Sequence, residues 1–248
     1  MNYTDTKISI QEAEKILFEQ YNIKGTAHPL PGYEDYNFRI KVDNEDGYVL
    51  KISRQNVNKN AISFLRDILL YLEKNSENLI TPKIIADTKG DYISEVLDND
   101  KNRRSVRLLT WISGRVWHEV NPRLNNLHFS LGETSGKITN TLQGFHHESI
   151  ESDLDWDIAH SLWTKKHIHL FPKEEQEIVS YFQNRFENEL STYTRLRKSI
   201  VHNDVNDYNI LVSDNLINPK VKAVIDYGDA MQTQIINDVG ICCAYAIM

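Results

Sequence analysis

The sequence predicts an α+β chain, strand-rich at first and mainly helical later, from three observations. Two strand-like runs, Tyr36 to Val42 and Gly47 to Ile52, flank Asp43-Asn44-Glu45-Asp46, which is hairpin turn chemistry. From Asn125 onward the apolar residues recur at helical spacing instead. Within that helical half one strand-rich island returns, Ile200 to Val212 followed by Val221 to Gly228. With 248 residues the chain has the length for one large domain or two lobes sharing an interface.

The elements follow in order. Ser9-Ile-Gln-Glu-Ala-Glu is a capped helix start, and Ile10, Ala13, Ile16, Leu17 and Phe18 continue it as far as Tyr21. The hairpin of the two strands comes next. Ala61 to Leu72 is too long and too Leu-rich for a strand, so a helix ending near Lys74 is predicted. Strands over about Tyr92 to Leu97 and Ser105 to Trp111 follow, and sheet gives way to helix near Gly114. Helices are predicted over Leu127 to Phe145 and Glu174 to Leu196, the second with Ile178, Tyr181, Phe182, Phe186 and Leu190 on one face. The division proposed is residues 1–112 and residues 113–248.

Composition excludes several function classes. A net charge of −7 argues against a basic nucleic-acid binder and points to a small partner. Cys242 and Cys243 are adjacent, so they cannot staple distant segments, and they read as core residues in a reducing compartment. No apolar run approaches the roughly 18 residues of a membrane helix, and the first residues lack a signal core, so a cytoplasmic location is expected. Nothing in the sequence marks an oligomeric state.

The island carries the chemistry. Pairing Ile210 to Val212 with Ala223 to Ile225 sets Asn209, opening one strand, beside Asp226, closing the other. One amide and one carboxylate at a sheet end suit Mg²⁺, which keeps its other ligands as water and phosphate. Asp204, on the loop before Asn209, is placed to accept a proton from a hydroxyl nucleophile.

Other candidates lie upstream. Lys51 ends a strand, where it either neutralises nucleotide phosphates or is merely solvated. Leu30-Pro-Gly-Tyr-Glu-Asp-Tyr-Asn-Phe38 stands where a phosphate-covering loop belongs, with Gly32 its only glycine. Val106 to Gly114 is either an ordinary edge strand or a strand whose Thr110 and Ile112 hydrogen-bond adenine.

His202-x-Asp204-x-x-x-x-Asn209, then Asp226-x-Gly228, resembles the catalytic loop and metal-binding segment of the protein-kinase-like enzymes. With the blocks Leu30 to Arg39, Val106 to Gly114, His202 to Val212 and Val224 to Asp229, the chain resembles the aminoglycoside phosphotransferase family of small-molecule kinases. Within it the likeness is to hydroxylysine-kinase-type domains, including those fused to class III aminotransferases. The resemblance spans Leu30 to Met248.

It implies a protein-kinase-like two-lobed fold, with an antiparallel-sheet nucleotide-binding lobe and a mainly helical catalytic and acceptor-binding lobe. It implies ATP and Mg²⁺ as cosubstrates, Asp204 as base, Asn209 and Asp226 as metal ligands, and Lys51 on the α- and β-phosphates. Helical Asp67 is the positional match for the acidic partner of Lys51, with Glu73 or a water-bridged contact as alternatives. Asn203 stands where the family often carries Gly and protein kinases carry Arg, and Tyr227 replaces the usual Phe. Family members continue beyond the apolar run Gly240 to Met248. A longer natural chain covering Ile241, Ala244, Tyr245 and Ile247 is therefore expected, with the helical lobe here incomplete.

The expected activity is transfer of the γ-phosphate of ATP to a hydroxyl of a small, amine-bearing acceptor. The competing reading is a catalytically weak nucleotide-binding or regulatory module of a larger fusion protein. His146 to Asp157 holds five carboxylates (Glu148, Glu151, Asp153, Asp155 and Asp157) with no Lys or Arg. That run is either a solvated face or an attractor for a cationic acceptor.

Overall fold

The structure is a computed structural model describing residues 7–55, 57–148 and 154–247. The chain divides into two compact units between Arg115 and Val116. In the first unit α1 (Ile10–Tyr21) starts at Ser9, whose hydroxyl accepts from the Glu12 amide, and stops at Asn22 in the left-handed conformation. Then come β1 (Thr26–Leu30), β2 (Asp35–Val42), β3 (Glu45–Ser53), α2 (Lys59–Asn75), β4 (Ile84–Ile85), β5 (Ser94–Leu97) and β6 (Arg103–Thr110). The sheet order is β1-β2-β3-β6-β4, with β5 also on β6, and every pairing is antiparallel.

One core cluster of this unit lies on one face of the sheet. Ala13, Ile16, Leu17 and Tyr21 of α1 pack with Phe38, Ile40, Leu50, Ile52, Val106 and Leu108. Ile10 and Phe18, which share the predicted helical spacing, are exposed, so the buried stripe is narrower than predicted. The hairpin turn is also tighter than the four residues expected. Asp43 and Asn44 both have positive φ, 51° and 67°, so a two-residue turn joins β2 to β3, and Glu45 and Asp46 belong to β3. Strand β1 was not predicted. It is an edge strand holding Pro29, and only Ala27 is buried, so it carries no alternation to read.

A two-residue strand, β7 (Arg115–Val116), lies at the division. The second unit continues with α3 (Asn125–Leu142), a 3₁₀ segment (Ile158–Leu170), α4 (Lys173–Tyr193), β8 (Lys198–Val201), β9 (Ile210–Val212), β10 (Val221–Val224), β11 (Met231–Gln234) and α5 (Ile236–Ala246). Strands β9 and β10 form one antiparallel ladder, β8 and β11 another. Helix α3 buries Leu127, Leu131, Ile138 and Leu142 against β8, β10 and α5. The apolar face predicted on α4 exists but is not buried. This helix packs on the 3₁₀ segment, and Ile178 and Phe182 remain 58% and 60% exposed. Among the described residues no helix is long and apolar enough to cross a membrane.

Candidate active site

The turn between β8 and β9 is held almost wholly by side chains. His202 is buried, and its Nε2 lies 3.1 Å from the Ile225 carbonyl while its Nδ1 lies 3.2 Å from the Asp204 amide. A carbonyl only accepts and an amide only donates, so Nε2 carries the proton and Nδ1 accepts. Burial lowers the His202 pKa, which favours that neutral tautomer. Asn203 has φ 64°, a conformation open to Asn and Gly at low cost. An arginine there would be strained, which gives a backbone reason for the residue that stands at this position.

Asp204 follows, half-buried. Its Oδ1 accepts from Asn206 Nδ2 at 2.8 Å and its Oδ2 from Asn209 Nδ2 at 2.7 Å. Burial is the main force raising its pKa, and the Asp226 charge adds to that, while the two amide bonds and the neighbouring His202 work the other way. Asn206 was not singled out from sequence. Its Oδ1 accepts from the Tyr208 and Asn209 amides at 2.8 and 3.1 Å, shaping the turn that delivers Asn209 to the head of β9.

Asn209 and Asp226 come to adjacent rungs. The register is offset by one from that expected: Val224, not Ile225, stands opposite Ile210, and an irregularity between Val221 and Ala223 lies at the far end of the ladder. The Ile225 amide then donates to the Asn209 carbonyl at 2.9 Å, and Asp226 falls one residue beyond. Asn209 spends Nδ2 on the Asp204 carbonyl and carboxylate, which leaves Oδ1 as its outward acceptor. Asp226, at φ 61°, is exposed. An amide oxygen beside a carboxylate fits a hard cation with water ligands, and among the described residues no group of three or more His, Cys, Asp or Glu could hold a metal.

One anchor was missed altogether. Asp238, on α5, is 1% exposed and accepts from the His202 amide at 3.1 Å, the Asn203 amide at 2.8 Å and the Thr139 hydroxyl at 3.1 Å. It lies too far along the chain for any local pattern to connect it with the loop. Asp238→Ala leaves two buried amides unpaired, so it should cost at least about 2 kcal/mol of stability and turnover with it. Denaturant melting alongside a kinase assay checks both. Unchanged melting would show that Asp238 does not brace the loop.

In the first unit Lys51 is buried on β3, with Asn37 of β2 and Arg107 of β6 as its cross-strand neighbours. Gly32 is required by crowding, since a Cβ there would meet the Asn37 side chain and the Asp35 carbonyl within 2.5 Å. The Asp67 carboxylate forks with neighbouring Arg66 at 2.7 and 2.9 Å, and Glu73 pairs with Lys83 at 2.9 Å. At Thr110 the amide donates to the Lys83 carbonyl, and the hydroxyl accepts from the Lys83 amide, which leaves its O–H as a donor. Ile112 lies just past the end of β6.

The acidic run does not form one solvated face. Glu148 and Asp155 are exposed, and Glu151 and Asp153 lie outside the described residues. Asp157 is 2% exposed and accepts from the Ala159 amide at 3.0 Å, Asn237 Nδ2 at 3.1 Å and the Thr233 hydroxyl at 3.1 Å. It starts the 3₁₀ segment and ties it to β11 and α5, which removes it from any role in attracting a ligand. Asp157→Asn should lower stability by about 1–3 kcal/mol without altering the acceptor constant, as thermal melting and steady-state kinetics would report.

The sequence profile of the phosphotransferase enzyme family (APH) matches residues 26–248. Hydroxylysine kinase of Bos taurus is 26% identical, aligned over 99% of this chain and 71% of its own length. The Mus musculus hydroxylysine kinase is 27% identical, over 89% of this chain and 64% of its own, so this chain spans about two thirds of these relatives. Among solved structures, a microcompartment-associated aminopropanol kinase superposes with a TM-score of 0.73 over 94% of this chain and 74% of its own, at 18% identity. A GDP and kanamycin complex of an aminoglycoside phosphotransferase gives 0.66 over 94% and 77%, at 16% identity. With this two-lobed, protein-kinase-like α+β fold and its His-Asp-Asn loop, the chain belongs to the phosphotransferase enzyme family and is a small-molecule kinase.

Proposed function

We propose that the protein transfers the γ-phosphate of ATP, with Mg²⁺, to the hydroxyl of a small acceptor that also carries an amine. The observation that carries the reading is the loop 202–209. Its carboxylate is fixed by two amides, and the Asn209 oxygen and the Asp226 carboxylate stand at neighbouring rungs. In this reading the first unit is the nucleotide-binding lobe and the second the catalytic and acceptor-binding lobe. Asp204 accepts the hydroxyl proton as the oxygen forms its bond to phosphorus and ADP departs. Lys51 neutralises α- and β-phosphate charge. Asn209 and Asp226 hold Mg²⁺, which supplies charge neutralisation on the phosphates. Asp67 as the partner of Lys51, Gly32 in the phosphate-covering loop, and Thr110 and Ile112 at adenine complete the assignment.

The amine is supported by the net charge of −7 and by the exposed Glu148 and Asp155. The names of the relatives, a hydroxylysine kinase and an aminopropanol kinase, both describe acceptors that join a hydroxyl to an amine. A phosphate-transfer screen of hydroxylysine, ethanolamine, choline, homoserine and aminoglycosides tests it. For an amine-bearing acceptor the Michaelis constant should rise with salt, because the screening length falls to about 8 Å at physiological ionic strength. Asp155→Asn should raise that constant and flatten its salt dependence while leaving the ATP constant unchanged. A neutral sugar outperforming every amine would refute the amine, and absence of any transfer would refute the activity.

A further inference from the structure

Lys51 is the middle of a polar row. The β2–β3 register sets Asn37 opposite it on one side, and the β3–β6 register sets Arg107 opposite it on the other. Strand neighbours Phe38, Leu50, Ile52, Val106 and Leu108 all point into the α1 core, so alternation turns Asn37, Lys51 and Arg107 to the opposite face together. Arg107 is only 3% exposed. Its Nη2 donates to Asp35 Oδ2, while Nε and Nη1 are buried with no hydrogen-bond partner. Two like charges directly opposite each other are unfavourable in a sheet, and a buried guanidinium with unspent donors is more so. The feature is neither a solvated arginine nor a fully satisfied structural one.

We propose that Arg107 is a second phosphate-binding residue of the nucleotide site, presenting its unspent N–H groups beside Lys51 to the oxygens of a nucleotide's phosphate chain, while Asp35 offsets part of its charge through Nη2. The proposal rests on the reading of the first unit as a nucleotide-binding lobe. The chemistry suits the partner: a polyphosphate brings more than one negative charge and oxygens on several sides, and a guanidinium offers five donors in a fixed plane. The sequence hides this role, because an arginine inside Val106-Arg-Leu-Leu109 reads as one polar position in an alternating strand.

The test compares ADP with adenosine, which lacks phosphate, by calorimetry on the full chain with Mg²⁺ present. Arg107→Gln should weaken ADP at least about tenfold and leave adenosine unchanged, as Lys51→Met should in parallel. A purely structural arginine would weaken both ligands together, leaving their ratio at the wild-type value, and that result overturns the proposal. Asp35→Asn gives a second reading that keeps the arginine: with less of its charge neutralised, ADP should bind more tightly relative to adenosine. No change or a fall in that ratio overturns the proposal too. Wild-type protein that binds adenosine and ADP equally would overturn the nucleotide reading itself, whereas normal ADP binding by Arg107→Gln would overturn this inference alone.

Discussion

Replacing Asp204 by asparagine should cut turnover at least about a hundredfold while leaving nucleotide affinity nearly unchanged. A proton acceptor acts in the transition state more than in the ground state, so its loss falls on kcat. The geometry sharpens the expectation. Both carboxylate oxygens already accept an amide N–H, from Asn206 and from Asn209. An asparagine at 204 presents its own NH₂ to one of those donors, and one bond of the loop is lost with the base. Melting temperature separates the two effects: a small drop with a large kinetic loss identifies the base. Equal losses in turnover and in nucleotide affinity would show that residue 204 shapes the site rather than reacting in it.

Asp226→Ala should act on the other parameter. Asp226 is the carboxylate of the proposed metal pair, and an amide oxygen at Asn209 alone is a poor hold for a divalent ion. Nucleotide affinity measured in Mg²⁺ should therefore drop to the value measured in chelator, and adding more Mg²⁺ should not restore it. Affinity without metal should be unaffected. The fold should tolerate the change, because Asp226 is solvent-facing and its chain neighbours are held by the Ile225 bonds to Asn209 and His202. If Asp204→Asn and Asp226→Ala proved alike in both assays, the division of labour between base and metal ligand would be wrong.

The loop 202–209 was legible because its residues carry distinct chemistry at close, fixed spacing. His202, Asp204 and Asn209 lie within one turn, and Asp226 lies one hairpin away. The sheet of the first unit was legible through alternation, apart from β1, whose Pro29 and sparse burial leave no period. Long-range partners were not legible. Asp238 binds the loop from 36 positions along the chain, and nothing near it in sequence distinguishes a buried anchor from an acidic residue early in a helix. Asp157 failed in the opposite sense. Its place in an acidic run suggested a solvated charge, whereas contacts with Thr233 and Asn237 bury it. The one-residue offset at β10 was equally hidden, since no residue type in β9 or β10 marks which of two neighbouring registers forms.

The loop's shape is set from behind, by Asp238, by the Ile225 carbonyl and by its own asparagines. Each of these partners belongs to the same unit as the loop, and none of the bonds calls on the molecule to be phosphorylated. Substitutions away from this brace are therefore expected to leave the carboxylate of Asp204, the proposed proton acceptor, in place. In the proposed reading, the acceptor alcohol could be changed without rebuilding the loop that holds Asp204.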